Sequence, residues 1–411
     1  MKPVIKNERA REIAAAVGRP ELDLSNTKVA FAPKSDGQLR HTARLLGMMA
    51  KPWLVNLGST LGLYAVKWNL PFAKTITRKT IYQQFVGGRT LEESTAAIEK
   101  LYEYGVKSVL DYGAEAKETE ADFDQTRDEC IRALEYAAAQ ASAEVVSTKV
   151  SGMARFSLLE SVQANGGAPA EADREEFQRV KDRLQTLCKV AEQYKVRLFF
   201  DAEETWIQNT IDQLVIELME QFNVAEVLVY NTYQMYRHDR LAFLKANHEE
   251  ARRKGYLLGA KLVRGAYMEK ERERATERGY PSPIQPDKAS SDRDFDAALR
   301  YCADHYSTIG LCNGSHNMTS AYLLARLIDE RNIARNHPHL MFCQLYGMSD
   351  NLTFNLAAAG FNAAKYMPYG PVSDMVPYLV RRSQENTSVT GEMGRELTLV
   401  NQELKRRAQH K

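Results

Sequence analysis

From about residue 106 onward, short apolar or β-branched runs alternate with longer charged stretches whose apolar positions recur every three or four residues. The short runs are V-K-S-V-L-D from 106, E-V-V-S-T-K-V from 144, V-R-L-F-F-D from 196, E-V-L-V-Y-N from 226, L-G-A-K-L-V-R from 258, T-I-G-L-C-N from 308, L-M-F-C-Q-L from 340 and F-N-A-A-K-Y from 361. Runs of this length and composition read as strands, whereas stretches such as 175–194 and 210–222 carry the 3.6-residue period of amphipathic helices. Eight strands, each followed by helical sequence, predict an α/β fold: a closed (β/α)8 TIM-like barrel of parallel strands. An open doubly wound sheet is the other arrangement of such units, but no G-x-G-x-x-G follows the first strand to favour it. Residues 1–85 precede the first unit and read as helical, which divides the chain into an N-terminal helical arm (1–85) and a barrel (86–411).

Charge narrows the class of partner. Lys plus Arg number 55 and Asp plus Glu 53, and both signs are interspersed along the 411 residues. Nucleic acid is therefore not an expected partner. Five cysteines, widely spaced and without a C-x-x-C pair, read as reduced thiols in a cytoplasmic setting. The first residues lack the apolar core of a secretory signal, and the run 52–66 is shorter than the ~20 residues that span a bilayer. Trp53, Leu61, Tyr64 and Trp68, bracketed by lysines, fit either an arm packed on the barrel or a segment lying on the inner face of a membrane.

In a barrel of this kind chemistry collects where the strands end, at their C-terminal side. The polar residues there are Asp111, Glu115, Lys149, Asp201 with Glu203 and Glu204, Asn231, Lys261 with Arg264, Asn313 to Asn317, Gln344 and Tyr366. Beyond the last strand, Tyr378, Arg381, Arg382 and Glu385 are spaced to share one helical face. Two adjacent guanidiniums offer the planar donor fork that matches a carboxylate. His337 and His339 precede the seventh strand and so fall at the opposite end, and no metal site is expected. Lys261 at a strand end is also where the nucleophile of a Schiff-base aldolase would stand, an alternative from a different class.

Five motifs in order, D-A-E-E from 201, K-L-V-R-G-A-Y from 261, S-H-N from 315, Q-L-Y-G-M from 344 and Y-L-V-R-R-S-Q-E-N from 378, resemble the proline dehydrogenases, FAD enzymes on a distorted barrel. The resemblance covers most of residues 80 to 400. It implies oxidation of L-proline to 1-pyrroline-5-carboxylate by hydride transfer to flavin N5, with electrons passed to a membrane quinone. It further implies that Arg381, Arg382 and Lys149 hold the proline carboxylate, that Tyr366, Tyr378 and Leu345 pack on the ring, and that Asp201 orients Tyr366. Glu115 corresponds to a gating carboxylate. On the cofactor side it implies Lys261 at the flavin N5 edge, Asn231 at the pyrimidine, backbone contacts from Val263, Gly265 and Ala266, and contacts from Ser315, His316, Asn317 and Glu385 toward the rest of FAD. Bifunctional bacterial members carry Arg where this chain has Lys261, so the monofunctional, eukaryotic-like type is the nearer pattern. Hydroxyproline dehydrogenases are similar in these motifs but tend to carry a smaller residue at the place of Tyr366.

Overall fold

The computed structural model describes residues 21–49, 81–113, 117–372, 374–375, 378–379, 381–382 and 392–409. Eight parallel strands close into a barrel in sequence order: β1 (Lys107–Tyr112), β2 (Ala143–Thr148), β3 (Arg197–Phe200), β4 (Val229–Gln234), β5 (Leu258–Val263), β6 (Ile309–Gly314), β7 (Leu340–Leu345) and β8 (Ala363–Tyr369), with β8 pairing back onto β1. Among the described residues the two longer helices ahead of β1 are α1 (Asp36–Met49) and α2 (Leu91–Tyr102), with short helical turns at Thr27–Ala30 and Gln83–Phe85. The crossovers carry α3 (Glu120–Ala139), α4 (Phe156–Ala164), α5 (Arg174–Tyr194), α6 (Thr205–Phe222), α7 (Arg240–Lys254), α8 (Met268–Arg278), α9 (Lys288–Asp304), α10 (Met318–Glu330) and α11 (Asp350–Ala358), and α12 (Glu392–Gln409) ends the described chain.

Strand periodicity sorts side chains into two cores. Leu110, Leu198, Val229, Leu262, Phe342 and Met367 face outward and pack under the helices. Val109, Val145, Phe199, Tyr230, Met341 and Tyr366 fill the barrel itself, a packed interior with no bore.

The strand runs expected at 226 and 361 are displaced. β4 begins at Val229 and continues to Gln234, and β8 runs from Ala363 to Tyr369. Ahead of β4, the buried Asn223 takes over the hydrogen bonding: its Oδ1 accepts from Leu228 N (3.0 Å) and Val229 N (2.8 Å), and its Nδ2 donates to Val229 O (2.8 Å) and Leu257 O (3.0 Å). A side chain thus supplies what the ladder would otherwise provide, so an apolar run there need not be strand.

At the other end of the molecule α1 packs on α12 through Leu39, Leu399 and Val400, and Arg407 donates to Phe31 O and Lys34 O at 2.8 Å each. The aromatic stretch around Trp53 to Trp68 lies outside the described residues. All five cysteines are free and buried. Among the described residues no helix is long and apolar enough to cross a membrane.

Candidate active site

The C-terminal mouth of the barrel holds a compact polar cluster. Lys261, inward-facing on β5, puts its Nζ 2.5 Å from Asp201 Oδ1, just past the end of β3. The Tyr366 hydroxyl, from β8, donates to Asp201 Oδ2 at 2.7 Å, and Ser147 Oγ, from β2, donates to Asp201 Oδ1 at 2.9 Å. The Lys261 ammonium also stands 4.6 Å from the centroid of the Tyr366 ring. Four strands therefore converge on one carboxylate. Leu345, partner of Tyr366 in the β7–β8 register, packs beside it.

Electrostatics separate the two carboxylates at this mouth. Burial works against the charged form of Asp201, but Lys261 and Lys149 outweigh it and hold its pKa below the ordinary value. Asp111, at the end of β1, lacks an equal partner; burial, with Asp201 nearby, pushes it up to about 7 against the pull of Lys149. Burial likewise opposes the charge on Lys261, yet Asp201 raises its pKa, so it stands as an ammonium. Lys149 follows β2 directly, at the start of the turn Val150–Gly152. That turn is fixed from below: Glu203 Oε1 accepts from Ser151 N at 3.0 Å and its Oε2 from Ser151 Oγ.

Asn231 is not at the mouth. It is odd in register with Val229 and Tyr233, both in the outer core, and its Nδ2 donates to Asp212 Oδ1 on α6 at 2.9 Å. Three residues on, Gln234 ends the same strand facing inward. Its Nε2 donates to Glu203 O at 3.1 Å, while its Oε1 is buried with no hydrogen-bond partner. A strand that ends at Asn231 leaves Gln234 out of the site, whereas a period-two continuation through T-Y-Q reaches it. Asn313, at the end of β6, is also buried with both amide atoms unmatched.

The segment after β5 carries Val263 as the last strand residue, then Gly265 and Ala266, all half-buried. Gly265 has φ +139°, and an added Cβ would lie 2.4 Å from the Tyr236 ring. Its lack of a side chain is demanded by Tyr236 as well as by backbone conformation.

Ser315, His316 and Asn317 lie at the N-terminus of α10. Asn317 caps the helix, accepting from Ser320 N at 3.1 Å. Ser315 Oγ accepts from Arg264 Nη1 at 2.7 Å. The His316 ring meets Ser349 Oγ at 2.9 Å. Burial, reinforced by Lys365, Arg382 and Arg264, lowers its pKa to about 3, so the ring is neutral. That same influence brings Arg382 into the neighbourhood of the S-H-N segment. Arg382 is buried with its guanidinium 5.2 Å from the Tyr378 ring centroid, and that of Arg381 lies 6.0 Å from Tyr267. Glu115 and Glu385 lie outside the described residues. Among the described residues no group of His, Cys, Asp and Glu is arranged to hold a metal.

Comparison with known proteins bears on this arrangement. The family model described as proline dehydrogenase matches residues 94–395. Proline dehydrogenase 1, mitochondrial, of Drosophila melanogaster is 38% identical over 245 residues, which is 57% of this chain and 36% of that protein. Carbapenem antibiotics biosynthesis protein CarD of Pectobacterium carotovorum subsp. carotovorum is 32% identical over 324 residues, 79% of this chain and 83% of that protein. Hydroxyproline dehydrogenase of Xenopus laevis is 28% identical over 437 residues, 96% of this chain and 92% of that protein. The match spans only 36%, 39% and 40% of the fly, Caenorhabditis elegans and human proline dehydrogenases. In structure the chain resembles proline utilization A (PutA) from Bdellovibrio bacteriovorus inactivated by N-propargylglycine, with a TM-score of 0.69 at 19% identity, over 93% of this chain and 41% of that one; at that identity the likeness speaks for the fold. A family match across residues 94–395, on a closed eight-stranded barrel, makes the chain a member of the proline dehydrogenase family.

Proposed function

We propose that the protein oxidises L-proline to 1-pyrroline-5-carboxylate with FAD as its cofactor. The observation that carries the reading is the mouth cluster, in which Lys261, Asp201 and Tyr366 are locked together on the same inner face of the barrel as the buried Gln234, whose Oε1 lacks a partner. A flavin fits that oxygen. The unmatched Oε1 of Gln234 needs an N–H donor such as the pyrimidine edge carries, and it replaces Asn231 in that role. The α10 N-terminus with Ser315 and His316 suits a phosphate, and Val263, Gly265 and Ala266 offer backbone contacts on the same side. FAD, when bound, would supply at its N5 the acceptor for the hydride leaving proline C5.

The chain's own residues bind and orient. Arg381, Arg382 and Lys149 take the substrate carboxylate, with Arg giving the bidentate fork. Tyr366, Leu345 and Tyr378 pack on the ring and exclude water. Asp201 fixes the Tyr366 hydroxyl, and the Lys261 ammonium supports negative charge at the flavin N5 edge. Glu115 as a gate over the substrate and Glu385 toward the cofactor belong to the same reading. Electrons then pass to a membrane quinone, which calls for a peripheral contact on the inner face of the membrane and a cytoplasmic location; several animal relatives carry the word mitochondrial in their names.

Two other readings are weaker. A Schiff-base aldolase needs a neutral lysine, and Lys261 is held as an ammonium by Asp201. A hydroxyproline dehydrogenase is favoured by the likeness to the Xenopus laevis protein, but the bulk of Tyr366 against the ring leaves little room for a 4-hydroxyl. Anaerobic spectra decide: bleaching of the flavin band by L-proline and not by trans-4-hydroxy-L-proline is expected. Preferential bleaching by hydroxyproline would exchange the two readings, and an FAD-loaded protein reduced by neither would end both.

A further inference from the structure

The turn between β7 and α11, Tyr346 to Asp350, is fixed by four separate parts of the chain. Gln84 Nε2 donates to Gly347 O at 2.7 Å, and Gly347, at φ +78°, is so close that a Cβ would lie 1.8 Å from Gln84 O. Lys365, on the outer face of β8, donates to Met348 O. The Asp350 carboxylate is gripped by Lys34 and Lys365 at 2.8 Å each. From α12, Glu396 Oε1 accepts the Ser349 N–H at 3.0 Å.

Ser349 itself is out of the ordinary on two counts. Its φ of +51° is left-handed, a region that serine enters at a cost. The other two non-glycine residues with positive φ among the described residues, Lys195 and Asn332, sit exposed just after the ends of helices, where that conformation is common. Ser349 instead is buried and occupies the residue before α11, yet its hydroxyl does not cap that helix. Serine at this position is normally kept for capping. Here the hydroxyl is turned to the His316 ring, 2.9 Å from Nδ1.

The backbone beside that ring has supports of its own. Gln344 Nε2 donates to Ser315 O at 3.0 Å and Arg264 holds Ser315 Oγ. What Ser349 adds is control of the ring alone. A neutral imidazole carries one N–H and one lone pair, and a bond at Nδ1 sets both its orientation and which character Nε2 presents.

We propose that Ser349 is a positioning residue of the cofactor site, held in a strained backbone conformation by the N-terminal segment and α12 so that its hydroxyl fixes the His316 ring. The inference rests on the reading of His316 as an FAD contact. It makes FAD affinity depend on Glu396, and so on the seating of α12.

Ser349→Gly separates strain from function, because glycine relieves the left-handed backbone while removing the hydroxyl. FAD affinity is measured by titrating flavin-free protein and following the quenching of flavin fluorescence, with the melting temperature of the flavin-free form alongside. Expected for Ser349→Gly is an unchanged or higher melting temperature with FAD bound about threefold to tenfold more weakly, the worth of one hydrogen bond. Ser349→Ala keeps the strain and is expected to lose the same affinity without the gain in stability. Glu396→Gln, whose amide oxygen still accepts from Ser349 N, should bind FAD as the wild type does, and Glu396→Ala should bind it more weakly. His316→Ala tells two failures apart. Weaker binding in His316→Ala with wild-type affinity in Ser349→Gly overturns the inference and leaves the cofactor reading intact. Unchanged binding in His316→Ala overturns both. Affinity that falls only in step with melting temperature across the series reduces Ser349 to a structural residue and also overturns the inference.

Discussion

At the scale of single residues, the site turns on which way a side chain faces. Asn231 and Gln234 are three apart on β4, so they point to opposite sides of the barrel wall: one bonds Asp212 among the helices, the other brings an unmatched oxygen to the mouth. Asp201 and Tyr366 could be assigned to the mouth from sequence because each ends an apolar run, and Lys261 because it is the charged residue near the end of another. Their mutual bonding could not, since a pairing across 165 positions leaves no local trace. In the proposed reaction Lys261 is the member whose charge acts on the flavin. Lys261→Met removes the ammonium and keeps the stem, so reduction of bound FAD by L-proline, followed anaerobically by stopped flow, should slow by about 100-fold, as when one preorganised donor is lost. An unchanged rate would show that the ammonium does not act on the reaction.

At the scale of elements, the eight strands were legible because barrel strands alternate with amphipathic helices, and two periods are hard to confuse over so many repeats. Their ends were less legible. β4 runs three residues past Asn231, and asparagine, rare inside strands, is accommodated there by Asp212, which receives its amide. Asp212 is a junction: it also accepts from Gln208 at 2.9 Å and from Arg240 Nη1 at 2.5 Å, joining β4, α6 and α7 under the barrel wall. Both charges of the Asp212–Arg240 pair are buried. Asp212→Ala would leave the buried Arg240 with the half-buried Asp239 as its remaining ion-pair partner and the Asn231 amide without an acceptor, and should cost about 3 kcal/mol of stability in a urea titration. The double change Asp212→Leu with Arg240→Met should recover only the part owed to the Arg240 charge, because the buried Asn231 and Gln208 amides still lose their acceptor. If the single variant unfolds at the wild-type midpoint, the pair does not hold these elements together.

At the scale of the whole molecule, the joining of α1 to α12 was invisible in the sequence, since Arg407 and Asp36 meet across 371 positions. The same long-range packing buries titratable groups in three places, and this gives stability a pH dependence. Asp111 at the mouth, Glu203 under the Lys149 turn and Glu396 on α12 are each pushed up to about 7, first of all by burial. A carboxyl whose folded pKa is raised binds its proton more tightly in the folded chain, so its contribution is fully present below the unfolded value near 4 and is lost as pH rises through 7. Two histidines act in the opposite sense. Burial lowers His248 to about 4 and His316 to about 3, so the folded chain loses stability as pH falls below their unfolded value of about 6.5. The two sets oppose each other from about 4.5 to about 7.5, and from pH 6.5 to pH 8 the three carboxyls outweigh the two histidines, which are already half deprotonated in the unfolded chain at about 6.5. The melting temperature of the flavin-free protein should therefore fall by about one to three degrees from pH 6.5 to pH 8. Glu396→Gln, which cannot ionise, should show a shallower fall over the same window. A melting temperature that rises across it would mean that these carboxyls are already ionised in the folded protein at pH 6.5, and that burial does not govern them.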